Sequence, residues 1–339
     1  MNKTKYSFTI DGGTTNTRVS LWNSELKEID SEAEHIGIKD VAVEGSNKRL
    51  QQTIKNILDT LILRNHMTYY DINCILAAGM ITSNLGIYEL DHLVAPVSIE
   101  DLVSGIKSVK LDDICPIPIS FIPGIKNMST DQIKEDNFDR MDIMRGEEVE
   151  VVSILNQIDN VEMNSIIVLP GSHTKFVAVG ENRNILGCVT SLTGELLSLL
   201  QTQSILTDAT GKDFLRSDEY DSSMCLMGYE KAKELGTGRA AFLTRIIKLF
   251  LKKTDSQRSS YLLGVVLQND VKSLEYSLKL FNNDSDYQII IAGKDPFRTA
   301  LYDIFMSEEK FKNILYFDAE GINLSANGCL LLAKVKGLL

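Results

Sequence analysis

Cysteine is sparse in this 339-residue chain, and what there is does not pair. Cys74, Cys115, Cys188, Cys225 and Cys329 lie far apart, none at zinc-ligand spacing, and their odd number suits reduced thiols packed as small hydrophobes. Basic residues are also in deficit: 35 Lys and Arg against 46 Asp and Glu give a formal charge of −11. That balance argues against a nucleic-acid partner or an anionic membrane surface, because either wants a basic face. It does not exclude a small anionic ligand, whose charge a few local donors can meet. No uninterrupted apolar run approaches the ~18 residues of a membrane span. The first residues show no basic-then-apolar leader and run directly into a strand pattern, so a cytoplasmic protein is expected. Proline is scarce too. Of six, Pro96, Pro116, Pro118 and Pro123 fall between residues 89 and 141, which marks that stretch as irregular, made of short strands and loops.

What is present is an ordinary globular composition, at a length that favours two domains over one core. Residues 6–11 form a short strand pattern, Gly12-Gly13 turns the chain, and residues 17–22 alternate again, so a hairpin is predicted. A polar stretch follows. Leu50, Ile54, Ile57, Leu58, Leu61 and Ile62 then recur at three- and four-residue spacings, predicting an amphipathic helix over 47–64. Residues 74–78 read as a buried strand and 147–155 as a helix. The second half repeats the opening: a strand at 165–169, a turn at 170–174, and a strand at 175–179. Helices are predicted at 196–205, 238–252, 259–281 and 324–334, with a buried strand at 288–292 closed by Gly293.

Three segments carry chemistry. In the first, Asp11 to Arg18, two glycines admit an anion close to backbone amides, and small hydroxyl residues add donors. Asp11 is placed to hold Mg²⁺ through water. No Gly-Lys-Ser/Thr follows, so this is not a P-loop. In the second, Pro170 to Lys175, donors again sit on a turn between strands; alone, a surface hairpin explains it equally well. In the third, Asp142 to Glu148, Glu147 follows Gly146 at the mouth of a helix, where a carboxylate could orient a hydroxyl and take its proton. From spacing alone, a solvated first-turn glutamate is the readier account of Glu147.

The opening hairpin resembles the first phosphate motif of the actin, Hsp70 and sugar-kinase superfamily. More narrowly, IDGGTTNTR, AAGMITSNLG, MRGEE, LPGSHTK and SLTGELLSLL, in that order, resemble the 2-dehydro-3-deoxygalactonokinase family over residues 8–200, with a weaker likeness to the C-terminus. The resemblance implies an α/β chain of two RNase H-like (actin-like ATPase) domains flanking a nucleotide cleft. Residues 1–147 would hold the first phosphate motif and the sugar-acid site. Residues 148–339 would hold the second phosphate and adenosine motifs, with the last helix packing back on the first domain.

The implied reaction moves the γ-phosphate of ATP, with Mg²⁺, to the terminal hydroxyl of 2-dehydro-3-deoxy-D-galactonate, giving the 6-phosphate. Carried over by position, Asp11, Gly12, Gly13, Thr14, Thr15 and Asn16 form one phosphate segment, and Gly171, Ser172, His173 and Thr174 the other. Gly293 receives the adenosine, and Asp11 also meets the metal through water. Glu147 is the base implied by the resemblance, with Glu148 beside it as the alternative. Arg18, Ser83 and Arg145 are the expected sugar-acid contacts, the two arginines being equally open to structural ion pairs. A homodimer is expected from base rates alone. The sequence departs from the family in having Gly12 where tryptophan is common, Thr82 where glycine is, Ile87 where a tryptophan is expected, and Ser172-His173-Thr174 for Thr-His-Ser. Two other readings use the same residues: a kinase for a different sugar or amino sugar, and a nucleotide-gated sugar-acid sensor that transfers nothing.

Overall fold

The computed structural model describes residues 5–158, 163–211, 214–281, 287–319 and 321–339. The chain divides into two compact units, Met1–Val161 with Arg183–Gly187 and Glu320–Leu339, and Glu162–Asn182 with Cys188–Ala319.

The first unit begins with the expected hairpin, β1 (Tyr6–Gly12) and β2 (Thr17–Trp22), continued by β3 (Glu28–Glu34). After α1 (Ile38–Glu44) and α2 (Lys48–Arg64) the chain enters β4 (Ile72–Gly79), parallel to β1. β5 (Leu93–Val94), α3 (Ile99–Gly105), β6 (Lys107–Val109), β7 (Ile119–Phe121), β8 (Ile125–Lys126) and β9 (Ile143–Met144) occupy the proline-rich stretch, and α4 (Glu147–Gln157) follows. The main sheet runs β3-β2-β1-β4-β7-β6, and β5-β8-β9 form a small second sheet.

The six apolar residues that predicted α2 are all buried, against Phe8, Ile10, Val19 and Leu21 of the hairpin. Burying each contributes about 2 kcal/mol. The polar stretch after Trp22 conceals β3. An edge strand half-exposed on both faces carries charge rather than apolar alternation; Asp30 and Glu32 on it are held by Arg64 at 2.7 and 3.1 Å.

The second unit repeats the order. β10 (Asn164–Leu169) and β11 (Thr174–Val179) form a hairpin, continued by β12 (Ile185–Ser191). Helices α5 (Thr193–Thr202), α6 (Thr207–Thr210), α7 (Ser222–Leu235), α8 (Thr237–Phe250) and α9 (Asp255–Leu280) precede β13 (Tyr287–Ile291), parallel to β10. α10 (Phe297–Ser307) and β14 (Ile314–Tyr316) complete it, giving β12-β11-β10-β13-β14. The last helix, α11 (Leu324–Lys336), is counted with the first unit and packs there on α4. Three antiparallel strands leading to parallel ones, in the order 3-2-1-4-5, is the RNase H-like arrangement, and each unit has it.

Several helix expectations needed correction: the helix read at 259–281 starts at Asp255, and α1, α3 and α10 were not foreseen. The helix read at 196–205 starts earlier, at Thr193, and breaks after Thr202 before the short α6. α7 was not foreseen, because its buried stripe is Met224, Cys225, Gly228, Tyr229 and Ala232, which carries too little large aliphatic side chain to show a helical period. Among the described residues no helix is long and apolar enough to cross a membrane. All five cysteines are buried, and none is in a disulfide.

Candidate active site

In the first unit, the parallel pairing of β1 with β4 sets Asp11 beside Ala78 and Gly12 beside Gly79. Both strands end here, and parallel strands that end together open a crevice at their carboxyl ends. Gly79 (φ +87°) lies so close that a Cβ on it would stand 2.8 Å from the Gly12 carbonyl oxygen and 3.4 Å from Asp11 Oδ1. Gly146 (φ +108°) rests in turn on Gly79, its own Cβ position 3.2 Å from the Gly79 Cα. Asp11 and the start of α4 therefore converge on one glycine, and Glu147 is the first residue of that helix.

The turn 13–16 presents Thr14, Thr15 and Asn16 to solvent. It closes with Gly13 N–H donating to Asn16 O at 2.9 Å, and the start of α1 braces it: Ile38 N–H donates to Gly13 O and Lys39 N–H to Thr14 O, at 3.2 and 2.9 Å. His35 Nδ1 meets Asn16 Oδ1 at 2.7 Å. Gly12 is not on the exposed part of the turn. It is buried, and a Cβ there would strike Ile81 Cβ at 2.6 Å. Its departure from the family thus meets the Thr82 departure in space: Ile81 precedes Thr82, whose hydroxyl donates to Gly79 O at 3.0 Å.

Glu147 is half-buried, and its Oε2 accepts the Arg145 N–H at 3.0 Å, which fixes the carboxylate's orientation. Glu148 Oε2 accepts the Gly146 N–H at 2.8 Å, while Oε1 is buried with no hydrogen-bond partner among the described residues. Burial, reinforced by the charge of Glu147, pushes the Glu148 carboxyl up to about 8.

The three sugar-acid candidates are differently placed. The Arg145 guanidinium donates to Thr82 Oγ1 at 2.6 Å and to the Leu90 carbonyl, tying the β4 turn and the 89–92 loop to the start of α4. Burial lowers its pKa. Buried Ser83 donates its hydroxyl to Met80 O at 2.7 Å. Arg18 stands directly across the hairpin from Asp11, and both line a crevice with Asn323, Ser325 and Cys329 of the α11 start that is too tight to admit water.

The second unit builds its turn on the same plan. Gly194 N–H and Glu195 N–H, at the start of α5, donate to Gly171 O and Ser172 O at 3.1 and 3.0 Å, as Ile38 and Lys39 do to Gly13 and Thr14. Ser172 and His173 are exposed, and His173 Nε2 meets Glu195 Oε2 at 2.8 Å. Thr174 is fully buried and belongs to the floor of the turn rather than to its rim. Gly293, after β13, abuts Pro170, its Cβ position 3.0 Å from Pro170 Cδ. The structure thus joins Gly293 to the turn 170–173, although more than a hundred residues separate them. By this correspondence Leu169 stands where Asp11 stands in the first unit, so one of the two turns has an acidic residue and the other does not.

Sequence reasoning missed Asp270, a fully buried carboxylate in α9 that accepts from Thr193 Oγ1 at 2.7 and 2.8 Å. Thr193 is the first residue of α5 and spends its hydroxyl on Asp270. Burial raises the Asp270 carboxyl to about 6, against the hydroxyl of Thr193, which favours its charge. Nothing local to residue 270 could have signalled this, because its partner lies far from it in sequence.

A sequence model of one family, described as 2-keto-3-deoxy-galactonokinase, matches residues 11–316. The chain belongs to the 2-keto-3-deoxy-galactonokinase family. It is accordingly a phosphotransferase of carbohydrate metabolism. A crystal structure from Sinorhizobium meliloti, of a protein provisionally named a 2-dehydro-3-deoxygalactonokinase, shares the fold with a TM-score of 0.72 at 17% identity, covering 97% of this chain and 98% of that one. The ADPNP-bound activator of the 2-hydroxyisocaproyl-CoA dehydratase from Clostridium difficile is similar more loosely, with a TM-score of 0.49 at 10% identity over 98% and 96% of the two chains. No curated protein matches the sequence.

Proposed function

We propose that this family member is an ATP-dependent kinase acting on the terminal hydroxyl of a 2-dehydro-3-deoxy sugar acid, with 2-dehydro-3-deoxy-D-galactonate as its first candidate substrate. The observation that carries the reading is the convergence of Asp11 and the Gly146-Glu147 helix start on Gly79. It brings a strand end with a carboxylate suited to a metal-bound phosphate to the helix start that carries one suited to an acceptor hydroxyl.

The donor set fits Mg²⁺ held largely by water and phosphate. Among the described residues no group of three or more His, Cys, Asp or Glu gathers as a metal cage, and Asp11 stands at a strand end, next to the glycine turn. Mg²⁺ is commonly bound in this way, through one carboxylate plus substrate phosphates. When bound, it neutralises charge on the transferring phosphoryl group.

The chain's own residues do the rest. The amides and hydroxyls of residues 13–16 in the first unit, and those of 171–173 in the second, are each assigned to nucleotide phosphate, with Gly293 beside the second turn for the nucleoside. Glu147, already oriented by the Arg145 amide, accepts the proton of the acceptor hydroxyl as its oxygen attacks the γ-phosphorus. The bond from that phosphorus to the β–γ bridging oxygen breaks, and ADP departs. Arg145 supports this arrangement from behind, by fixing the loops that frame Glu147, and Arg18 is the more accessible cation for a substrate carboxylate.

An ADP-release assay over a panel of sugars, amino sugars and 2-oxo-3-deoxy sugar acids tests the reading. Turnover highest with a 2-dehydro-3-deoxy sugar acid is expected. Faster turnover with a neutral hexose would move the substrate class, and ADP release that ignores every acceptor would remove the transferase assignment.

A further inference from the structure

We infer that Asp270 is a positioning residue for the second turn, acting through Thr193 to set the 171–173 donors at the distance a phosphate requires. The inference rests on the reading that this turn receives nucleotide phosphate. Asp270 lies in the middle of α9, wholly buried, and both its oxygens accept from one hydroxyl, Thr193 Oγ1. Thr193 opens α5, and the next two amides, Gly194 and Glu195, hold Gly171 O and Ser172 O. The link from carboxylate to turn is thus one hydroxyl and two peptide groups long.

A buried carboxylate is a costly way to pack a helix, and an apolar residue of similar size would serve the fold at least as well. The cost is offset here by the hydroxyl of Thr193, the first residue of α5, the helix whose start frames the turn. The first unit braces its turn differently. There the start of α1 is tied by Asp40, three residues into the same segment, whose carboxylate accepts the Gly37 N–H at 2.9 Å.

Three variants test this: Thr193→Val, Thr193→Ser and Asp270→Asn. Losing one charge-assisted hydrogen bond predicts that Thr193→Val and Asp270→Asn raise KM for ATP about tenfold. KM for the acceptor should stay unchanged, and Thr193→Ser should behave as the parent. If KM for ATP is unmoved, or both KM values rise together, or Thr193→Ser is as impaired as Thr193→Val, the inference fails. Should Asp270→Asn not fold, the Thr193 pair decides alone. Direct titration of ADP separates this from the functional reading. A protein that turns over no sugar acid yet loses ADP affinity about tenfold in Thr193→Val upholds the role of Asp270 while the substrate assignment falls; ADP affinity equal in both overturns the inference.

Discussion

Glu147 and Glu148, adjacent at the start of α4, each turn a carboxylate oxygen back onto the amide two residues earlier, at 3.0 and 2.8 Å, yet only Glu148 is sealed from solvent. The helix start separates the two side chains by about 100°. Glu147 is left half-buried, while Glu148 is driven inward. Two carboxylates of the same sequence motif therefore have different surroundings and different work.

Glu147→Gln should lower kcat by about 10²- to 10⁴-fold, the usual contribution of a general base. The glutamine oxygen can still accept the Arg145 amide, so the loop geometry and ADP affinity should persist. Turnover and calorimetric ADP binding on the same preparation check this; parent-like turnover would take the proton-accepting role away from Glu147.

Glu148 predicts a pH dependence of stability. Its folded-state value of about 8 lies above the ordinary 4.5, so between those limits the folded protein binds the proton and the unfolded chain does not. Stability from this group is therefore intact below about pH 4.5 and falls as pH rises through 8. Denaturation midpoints measured across that window should decline in the parent and decline less in Glu148→Gln. Identical slopes would show that Glu148 is ionised in the fold.

Gly146→Ala should cost about 1–3 kcal/mol and reduce turnover, because the residue combines a positive φ with close contact to Gly79. The same change at Gly45, also at positive φ but with nothing within 4 Å, should cost stability only. Melting temperatures and kcat for the two variants distinguish backbone strain from disturbance of the helix start.

Gly12 and Ile81 should be energetically coupled. Gly12→Ala places a methyl 2.6 Å from Ile81 Cβ, so it should destabilise alone and do so less in an Ile81→Gly background, which removes that atom. A double-mutant cycle by chemical denaturation gives the interaction energy, and strict additivity would show that the strand end yields without strain.

Asp11→Asn should raise the Mg²⁺ concentration for half-maximal rate about tenfold while leaving the fold intact, since a neutral amide holds the ion's water less firmly. An unchanged Mg²⁺ requirement would place the metal elsewhere.

Much of this was legible in the chain. The spacing of Leu50 to Ile62 gave α2 because a buried helical face must repeat every three to four residues, and the glycine-and-hydroxyl turns at 12–16 and 170–174 gave both hairpins. β3 was hidden because an edge strand has no wholly buried face to write into its sequence, and α7 because glycine, cysteine and alanine fill its contact stripe. The role of Thr193 was hidden because the local use of a threonine at a helix start is capping, whereas its partner here is far along the chain.

The sequence alone determined the family, the repeated strand–turn–strand plan and the residues able to meet phosphate, since each depends on residue type and short spacing. Tertiary structure decided which of those residues are free to act. It committed Arg145 to Thr82 and Leu90, sank Thr174 and Glu148 into the interior, and supplied Asp270 from a distant helix. The physical reason is that burial and hydrogen-bond partnership belong to neighbours in space, and a carboxylate's ionisation and reach follow from those neighbours rather than from its place in a motif.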